Sequence, residues 1–121
     1  TELMEKRKMW TAMLGALKTN DYHGAMAAGE ALAASREEAL SFLTWAETWY
    51  RDLLHYSVLE NTDELVHLDM HAQIEQQSAR LGVERAVSAL ARTTSAAARI
   101  QRNLNRRMVL ERFLFGAVRG R

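Results

Sequence analysis

No proline occurs anywhere in the 121-residue sequence, and this absence constrains the fold more than any other feature. Proline interrupts helices because it lacks an amide N–H and its ring clashes with the preceding turn. A chain without it can form long helices, and no segment here shows the alternating pattern of a strand. We therefore predict an all-α fold, a compact bundle of about six helices around a long central helix. The length allows a single domain over residues 1–121.

Capping residues and breaks in the apolar periodicity define the predicted helices. Asp21, Ser35 and Asn105 are residue types that cap helix N-termini, and an apolar pattern of helical period follows each. Asp69 is expected to cap a short fourth helix, which Gly82 ends. The predicted helices span about residues 2–19, 22–34, 36–59, 70–81 and 83–103, followed by a last helix that begins after Asn105. The first two helices are expected to pair as a helical hairpin.

The third helix carries the most apolar surface and is predicted to be the central one. Its aromatic stripe has two interpretations, a platform on which bases stack or a packed core. No lysine or arginine is interleaved with the stripe, and large apolar side chains at helical spacing are most often buried. We therefore interpret the stripe as core. Its members are Phe42, Trp45, Trp49, Leu53 and Tyr56.

The apolar residues of the first and fifth helices are also spaced at helical intervals. The first helix aligns Leu3, Trp10, Met13, Leu14 and Leu17 on one side. The fifth has a stripe at alternating steps of three and four residues. Its members are Val83, Val87, Leu90, Thr94, Ala97 and Leu104.

A net charge of +1 conceals two segments of opposite charge. Residues 1–79 contain 6 Lys and Arg against 13 Asp and Glu, whereas residues 80–121 contain 10 arginines against 2 glutamates. This division predicts a molecule with two oppositely charged ends. Arg85, Arg92 and Arg99 lie seven residues apart on one helix face, which would suit either the phosphates of DNA or an acidic surface of a neighbouring subunit. We favour subunit contact because opposite charges suit head-to-tail packing.

The sequence offers little for catalysis. The absence of cysteine excludes disulfides, thiol nucleophiles and Cys-ligated metals, and it fits a reducing cytoplasm. Glu64, His67 and His71 include one Glu-x-x-His spacing, but di-iron bundles use that motif twice, so we do not predict a metal site. There is no Gly-rich phosphate loop and no nucleophile elbow, and no apolar run is long enough to span a membrane. We expect no catalytic residue in this chain.

Two segments resemble a known family. ALSFLTWAETWYRDLL over residues 39–54 and RNLNRRMVLERFLF over residues 102–115 are similar to the C-terminal domain of bacterial DNA polymerase III clamp-loader subunits, most closely delta-prime. Residues 65–90 follow the family's order of a short helix, a break and a long helix. The sequence departs from the family at Arg106, where proline is common, and at His67, where asparagine is common.

The resemblance implies a structural role in a larger machine. Subunits of this family carry an N-terminal AAA+ module and a lid, followed by a helical domain that joins its counterparts in a pentameric collar. Because the chain begins at Thr1 inside a helical pattern, we expect those modules upstream. The implied partners are the C-terminal domains of other clamp-loader subunits and, indirectly, the sliding clamp and primer–template DNA, with no membrane and no small-molecule substrate. ATP and Mg²⁺ would bind only the AAA+ modules, with no cofactor in this domain, and the implied location is the cytoplasmic, nucleoid-associated replisome.

Four polar residues at matching motif positions are the predicted subunit-interface residues. Trp49, Leu53, Leu54 and Leu110 are explained as core, and Asn105 as a cap. Four polar neighbours have less evident structural reason to be present, and they are Arg51, Asp52, Arg106 and Glu111.

Two alternative functions remain open. The segment ALKTNDYHGAMAAGEAL over residues 16–32 resembles a tetratricopeptide hairpin, which would suit a free-standing helical scaffold for a protein partner. Such arrays need about three repeats of 34 residues, and the period does not recur. The second alternative is a DNA-binding helical domain that uses the arginine-rich segment.

Overall fold

The computed structural model describes residues 2–119 and confirms the all-α prediction. Within these residues no strand forms, and a single 3-10 turn over Leu68–Met70 precedes the fourth helix. None of these helices is both long enough and apolar enough to cross a membrane. The helices are α1 (Glu2–Ala16), α2 (Tyr22–Leu32), α3 (Arg36–Leu59), α4 (His71–Leu81), α5 (Val83–Gln101) and α6 (Arg106–Val118).

Three of the four predicted caps are confirmed. The side chains of Asp21, Ser35 and Asn105 each accept a hydrogen bond from the backbone N–H three residues further along, at 2.9 to 3.0 Å. The prediction for Asp69 is wrong, because Asp69 lies inside the 3-10 turn and the residue before α4 is Met70, which makes no side-chain cap. The Asp69 carboxylate instead accepts a hydrogen bond from Arg7 Nη2 at 3.3 Å.

Three helices end earlier than predicted. α1 ends at Ala16 and α5 at Gln101, each two or three residues short, and α2 ends at Leu32. Asn20 and Asn103, in the connections that follow α1 and α5, have φ angles of 63° and 65°. This left-handed conformation cannot continue a right-handed helix, and asparagine tolerates it better than most residues do.

The third helix is the centre of the bundle, as predicted. It packs most extensively against α5 and also contacts α2, α4 and α6. Phe42, Trp45, Trp49 and Leu53 are almost fully buried, and Tyr56 is partly buried against them, which confirms that the aromatic stripe belongs to the core. Trp10 of α1 joins them, with its ring centroid 5.8 Å from that of Phe42 and 5.5 Å from that of Trp45.

The first two helices do not pair as the predicted hairpin. α2 packs mainly against α6, whereas α1 lies against α4 and the aromatic cluster of α3. Gly29 permits the close approach of α2 to α6, because a Cβ there would lie 3.3 Å from the backbone of Glu111. On α1, Trp10 and Leu14 are buried but Leu3 is 61% exposed.

The two oppositely charged segments do not form two ends of the molecule. The arginine-rich helices α5 and α6 pack side by side with α3 and α2, which belong to the acidic segment. The predicted separation of charge into two ends is therefore wrong, because segments that are distant in sequence pack side by side. Five of the arginines lie instead along a groove between α5 and α6.

The stripe of larger apolar residues on α5 is not its most buried face. The buried side chains are mainly small, and Thr93 satisfies its hydroxyl by donating to the Ala89 carbonyl at 2.8 Å. Small residues allow α5 to lie close to its neighbours. Val83 and Val87 are consequently 43% and 51% exposed, and Leu90 is half-buried. We call Val83, Val87 and Leu90 the apolar strip.

Candidate functional site

Asp52, predicted as an interface residue, is an internal residue of the fold. Its side chain is buried on α3, and its two carboxylate oxygens accept hydrogen bonds from the backbone N–H groups of Val66 at 3.0 Å and His67 at 2.8 Å. It thus fixes the loop between α3 and α4. The expectation that Asp52 has little structural reason to be present is wrong, because a buried carboxylate needs these donors and the loop amides need an acceptor.

Arg51, the neighbouring candidate, points the other way. Its side chain is exposed and pairs with Glu47 one turn earlier on α3, with Nη2 2.9 Å from Oε1. Exposed pairs of this kind contribute little to folding. Arg51 is therefore available at the surface for contact with another molecule.

The two candidates on α6 are partly buried. Arg106 Nε donates a hydrogen bond to the Ala33 carbonyl at 3.2 Å, which ties the start of α6 to the end of α2. Glu111 packs its chain over Gly29, and its carboxylate lies 3.8 Å from the Arg107 guanidinium. Among residues 2–119, no hydrogen bond or ion pair joins this pair to Arg51 or Asp52. The four predicted residues thus belong to two separate places.

Sequence reasoning missed a buried polar network centred on His67. Arg7 Nη2 donates to His67 Nδ1 at 2.7 Å, and His67 Nε2 lies 2.8 Å from the Thr48 hydroxyl, which itself donates to the Trp45 carbonyl at 2.7 Å. Because Arg7 can only donate and the Thr48 proton is already used, the network assigns a neutral imidazole with its proton on Nε2. Burial lowers the pKa of His67, and the Arg7 charge acts in the same direction while Asp52 opposes it.

His67 does not form a metal site with Glu64 and His71. Both of its ring nitrogens are occupied by Arg7 and Thr48. Across the described residues, no three His, Cys, Asp or Glu side chains lie so that they could hold a metal ion. The His67 of this Glu-x-x-His motif therefore connects the loop before α4 to α1 and α3 and does not bind a metal ion.

Arginines line a groove of about 480 Å³ between α5 and α6. Arg85, Arg92 and Arg99 come from α5, and Arg112 and Arg119 come from α6 and the residue that follows it. We call this the arginine groove. None of the described residues that line it carries a carboxylate, and its remaining lining consists of apolar side chains and small residues. The floor includes Leu81, Ala96, Val109, Phe113 and Gly116.

Arg92 is the central guanidinium of the arginine groove. It lies over the ring of Phe113, with Cζ 5.9 Å from the ring centroid, and burial lowers its pKa, with Arg119 and Arg85 adding to the effect. Arginine nevertheless stays charged at physiological pH. Gly116 makes room for this side chain, because a Cβ there would lie 2.5 Å from Arg92 Nε.

An all-helical fold with an exposed apolar strip and a basic groove without counter-charges is typical of an interaction domain. The family model for the C-terminal domain of the DNA polymerase III delta subunit matches residues 2–117. The chain therefore belongs to this family, the C-terminal domain of a clamp-loader subunit, which is an accessory domain and not catalytic by itself. No curated protein and no solved structure matches the chain.

Proposed function

We propose that this chain is the collar domain of a clamp-loader subunit of the delta-prime type. The observation that carries the proposal is the family match over residues 2–117. The finer assignment to delta-prime rests on the similarity of residues 39–54 and 102–115 to that subunit. In this role the domain holds its subunit in a ring of five. ATP and Mg²⁺ bind the AAA+ modules of the complex and not this domain, and the complex works in the cytoplasm.

We propose that the apolar strip forms part of the contact with a neighbouring collar domain. Val83 and Val87 expose apolar area that nothing in the described residues covers, and such area is stabilising only when a partner removes it from water. Arg51, Arg106 and Glu111 remain proposed polar contacts of the ring. Asp52 is not proposed as a contact itself, because its carboxylate is buried and holds the loop that follows α3.

Co-purification with the other clamp-loader subunits tests the collar role. The chain is co-expressed with them, and complexes are separated by size-exclusion chromatography. We expect a stable complex, and Val87→Asp should weaken assembly by at least about tenfold because it places a charge in an apolar contact. Met9→Asp on α1 is the matched control, since Met9 is 55% exposed and lies outside the apolar strip.

Two outcomes would contradict the proposals separately. If the chain enters no complex with any clamp-loader subunit, the collar role is wrong. If it enters one and Val87→Asp behaves like Met9→Asp, the apolar strip is not the contact. Circular dichroism of both variants should show the helical content of the unmodified chain, because both side chains are exposed.

A further inference from the structure

The arginine groove holds positive charge that the fold itself does not neutralise. The ion pairs within residues 2–119 use Lys6, Arg7, Arg51 and Arg107, and none uses a groove arginine. Among the residues that the structure describes, the only hydrogen bond from a groove guanidinium is a long one, from Arg85 Nη2 to the Arg119 carbonyl at 3.4 Å. Five neighbouring guanidinium groups repel one another, so an anionic occupant would relieve a real cost.

The spacing of the arginines matches an α-helix. Arg85, Arg92 and Arg99 repeat every seven residues along α5, and Arg112 and Arg119 repeat at the same interval along the other wall. Seven residues of helix rise about 10.5 Å. A helix lying along the groove with acidic residues at seven-residue intervals would therefore bring successive carboxylates to successive arginines, and arginine binds carboxylates in a bidentate geometry.

The floor of the arginine groove favours a protein over a nucleic acid. Ala96 and Val109 are only 4% and 8% exposed, so the partly exposed Leu81 and the aliphatic stems of the arginines supply the apolar area that an amphipathic helix would contact. Single-stranded nucleic acids are held largely by stacking on exposed aromatic rings. Among the described lining residues the one aromatic ring is that of Phe113, which is 3% exposed and lies beneath Arg92.

We propose that the arginine groove is a docking site for an acidic amphipathic helix of a partner protein. The groove binds apolar side chains of that helix at its floor and carboxylates along its two walls. This site is distinct from the apolar strip and does not depend on the chain being part of a ring. A binding experiment with the isolated chain therefore tests it separately from the collar role.

The probe is a synthetic peptide of about three heptads, with leucine in one stripe and glutamate at seven-residue intervals on both sides of it. Fluorescence anisotropy measures its affinity for the chain at about 50 mM salt, where charge attraction is only partly screened. The same peptide with glutamine in place of glutamate should bind at least about tenfold more weakly. The peptide's affinity should also fall with added salt.

Paired variants locate the site. Arg99→Gln combined with Arg112→Gln removes one charge from each wall and should weaken the glutamate peptide about tenfold. Arg36→Gln combined with Arg102→Gln removes the same charge from exposed positions outside the groove and should change the affinity by less than about twofold. In Gly116→Ala the added Cβ would displace Arg92, so this variant should also bind the glutamate peptide more weakly.

Three results would overturn the proposal. One is equal weakening by the two double variants, which would show only general charge attraction. Another is absence of measurable binding of the glutamate peptide. The third is tighter binding of a labelled DNA oligonucleotide than of the peptide, lost in the Arg99→Gln and Arg112→Gln variant, which would assign the groove to nucleic acid.

Discussion

At the scale of single residues, the Asp52 and His67 contacts explain how the loop before α4 is held without regular structure. Asp52 supplies the acceptor that the backbone N–H groups of Val66 and His67 would otherwise lack. The His67 ring then joins Arg7 of α1 to Thr48 of α3. Three parts of the chain that are distant in sequence are thus connected through one buried imidazole.

This arrangement predicts a pH-dependent stability. Because burial lowers the pKa of His67 below its ordinary value of 6.5, the unfolded chain takes up a proton at a higher pH than the folded chain does. The free energy of unfolding should be unaffected by this group above pH 6.5. It should then decrease as the pH falls from about 6.5 to the folded pKa, so that the free energy of unfolding is lower at pH 5.5 than at pH 7.5.

Urea unfolding of the wild type and of His67→Gln at the two pH values measures the effect. The variant should lose less stability on acidification, since glutamine does not titrate. His23→Gln on the exposed face of α2 is the matched control and should keep the wild-type dependence. An identical pH dependence in wild type and His67→Gln would show that the network does not control protonation of the ring.

Sequence reasoning could not assign Asp52 its role. The spacing of apolar residues gives the face of α3 on which Asp52 lies, but not which loop packs over that face. The two residues that donate to Asp52 come 14 and 15 positions later. One signal was present, since the carboxylate lies in the sequence between Tyr50 and Leu53, both of which are buried. An acid beside core residues on a central helix predicts a buried acceptor.

At the scale of helices, the sequence predicted what depends on local chemistry. Asp21, Ser35 and Asn105 cap as expected because their bonds reach only three residues ahead. The buried face of α5 could not be predicted in this way. Hydrophobicity alone predicts that the face with the valines is buried, whereas the close packing of α5 against α3 buries the face with the alanines. The distribution of groove arginines over two helices likewise depends on how α5 and α6 pack.

The junction between α4 and α5 depends on the backbone conformation of a single glycine, Gly82. Gly82 has φ 82° and ψ 167°, a combination that is essentially restricted to glycine. A Cβ there would meet no atom within 4 Å, so only the backbone conformation opposes a side chain. Gly82→Ala should therefore lower the free energy of unfolding by about 1–3 kcal/mol.

Chemical denaturation of Gly82→Ala and Gly15→Ala side by side isolates the backbone effect. Gly15 lies in α1 with an ordinary helical conformation, and its added Cβ would lie 3.0 Å from Nε2 of Gln77, which donates a hydrogen bond to the Thr11 carbonyl. We expect Gly15→Ala to cost less than Gly82→Ala, because alanine favours the helix and a shift of a few tenths of an ångström in the Gln77 amide relieves the contact. If Gly82→Ala is as stable as Gly15→Ala, the junction is not fixed in this conformation.

At the scale of the whole molecule, one hydrophobic core includes all six helices. Buried residues from α1 to α6 form a single connected cluster. The position of α1 in it depends on very few side chains. The buried residues of α1 are Trp10, Thr11 and Leu14. Its remaining attachments are the partly buried Met13, which packs against the core, and polar contacts such as the Lys6–Glu38 pair at 2.7 Å.

Trp10 therefore determines whether α1 unfolds together with the rest of the domain. Trp10→Ala removes a ring that is 1% exposed and contacts Phe42 and Trp45, so it should reduce the free energy of unfolding by about 3–5 kcal/mol. A loss of that size is a large part of the total stability of a domain, typically about 5–15 kcal/mol. Met9→Ala, at the adjacent exposed position, should cost less than about 1 kcal/mol. Urea unfolding followed by far-ultraviolet circular dichroism compares the two variants. If their midpoints coincide, the Trp10 contacts do not stabilise the cooperative unit, and α1 unfolds separately from α2 to α6.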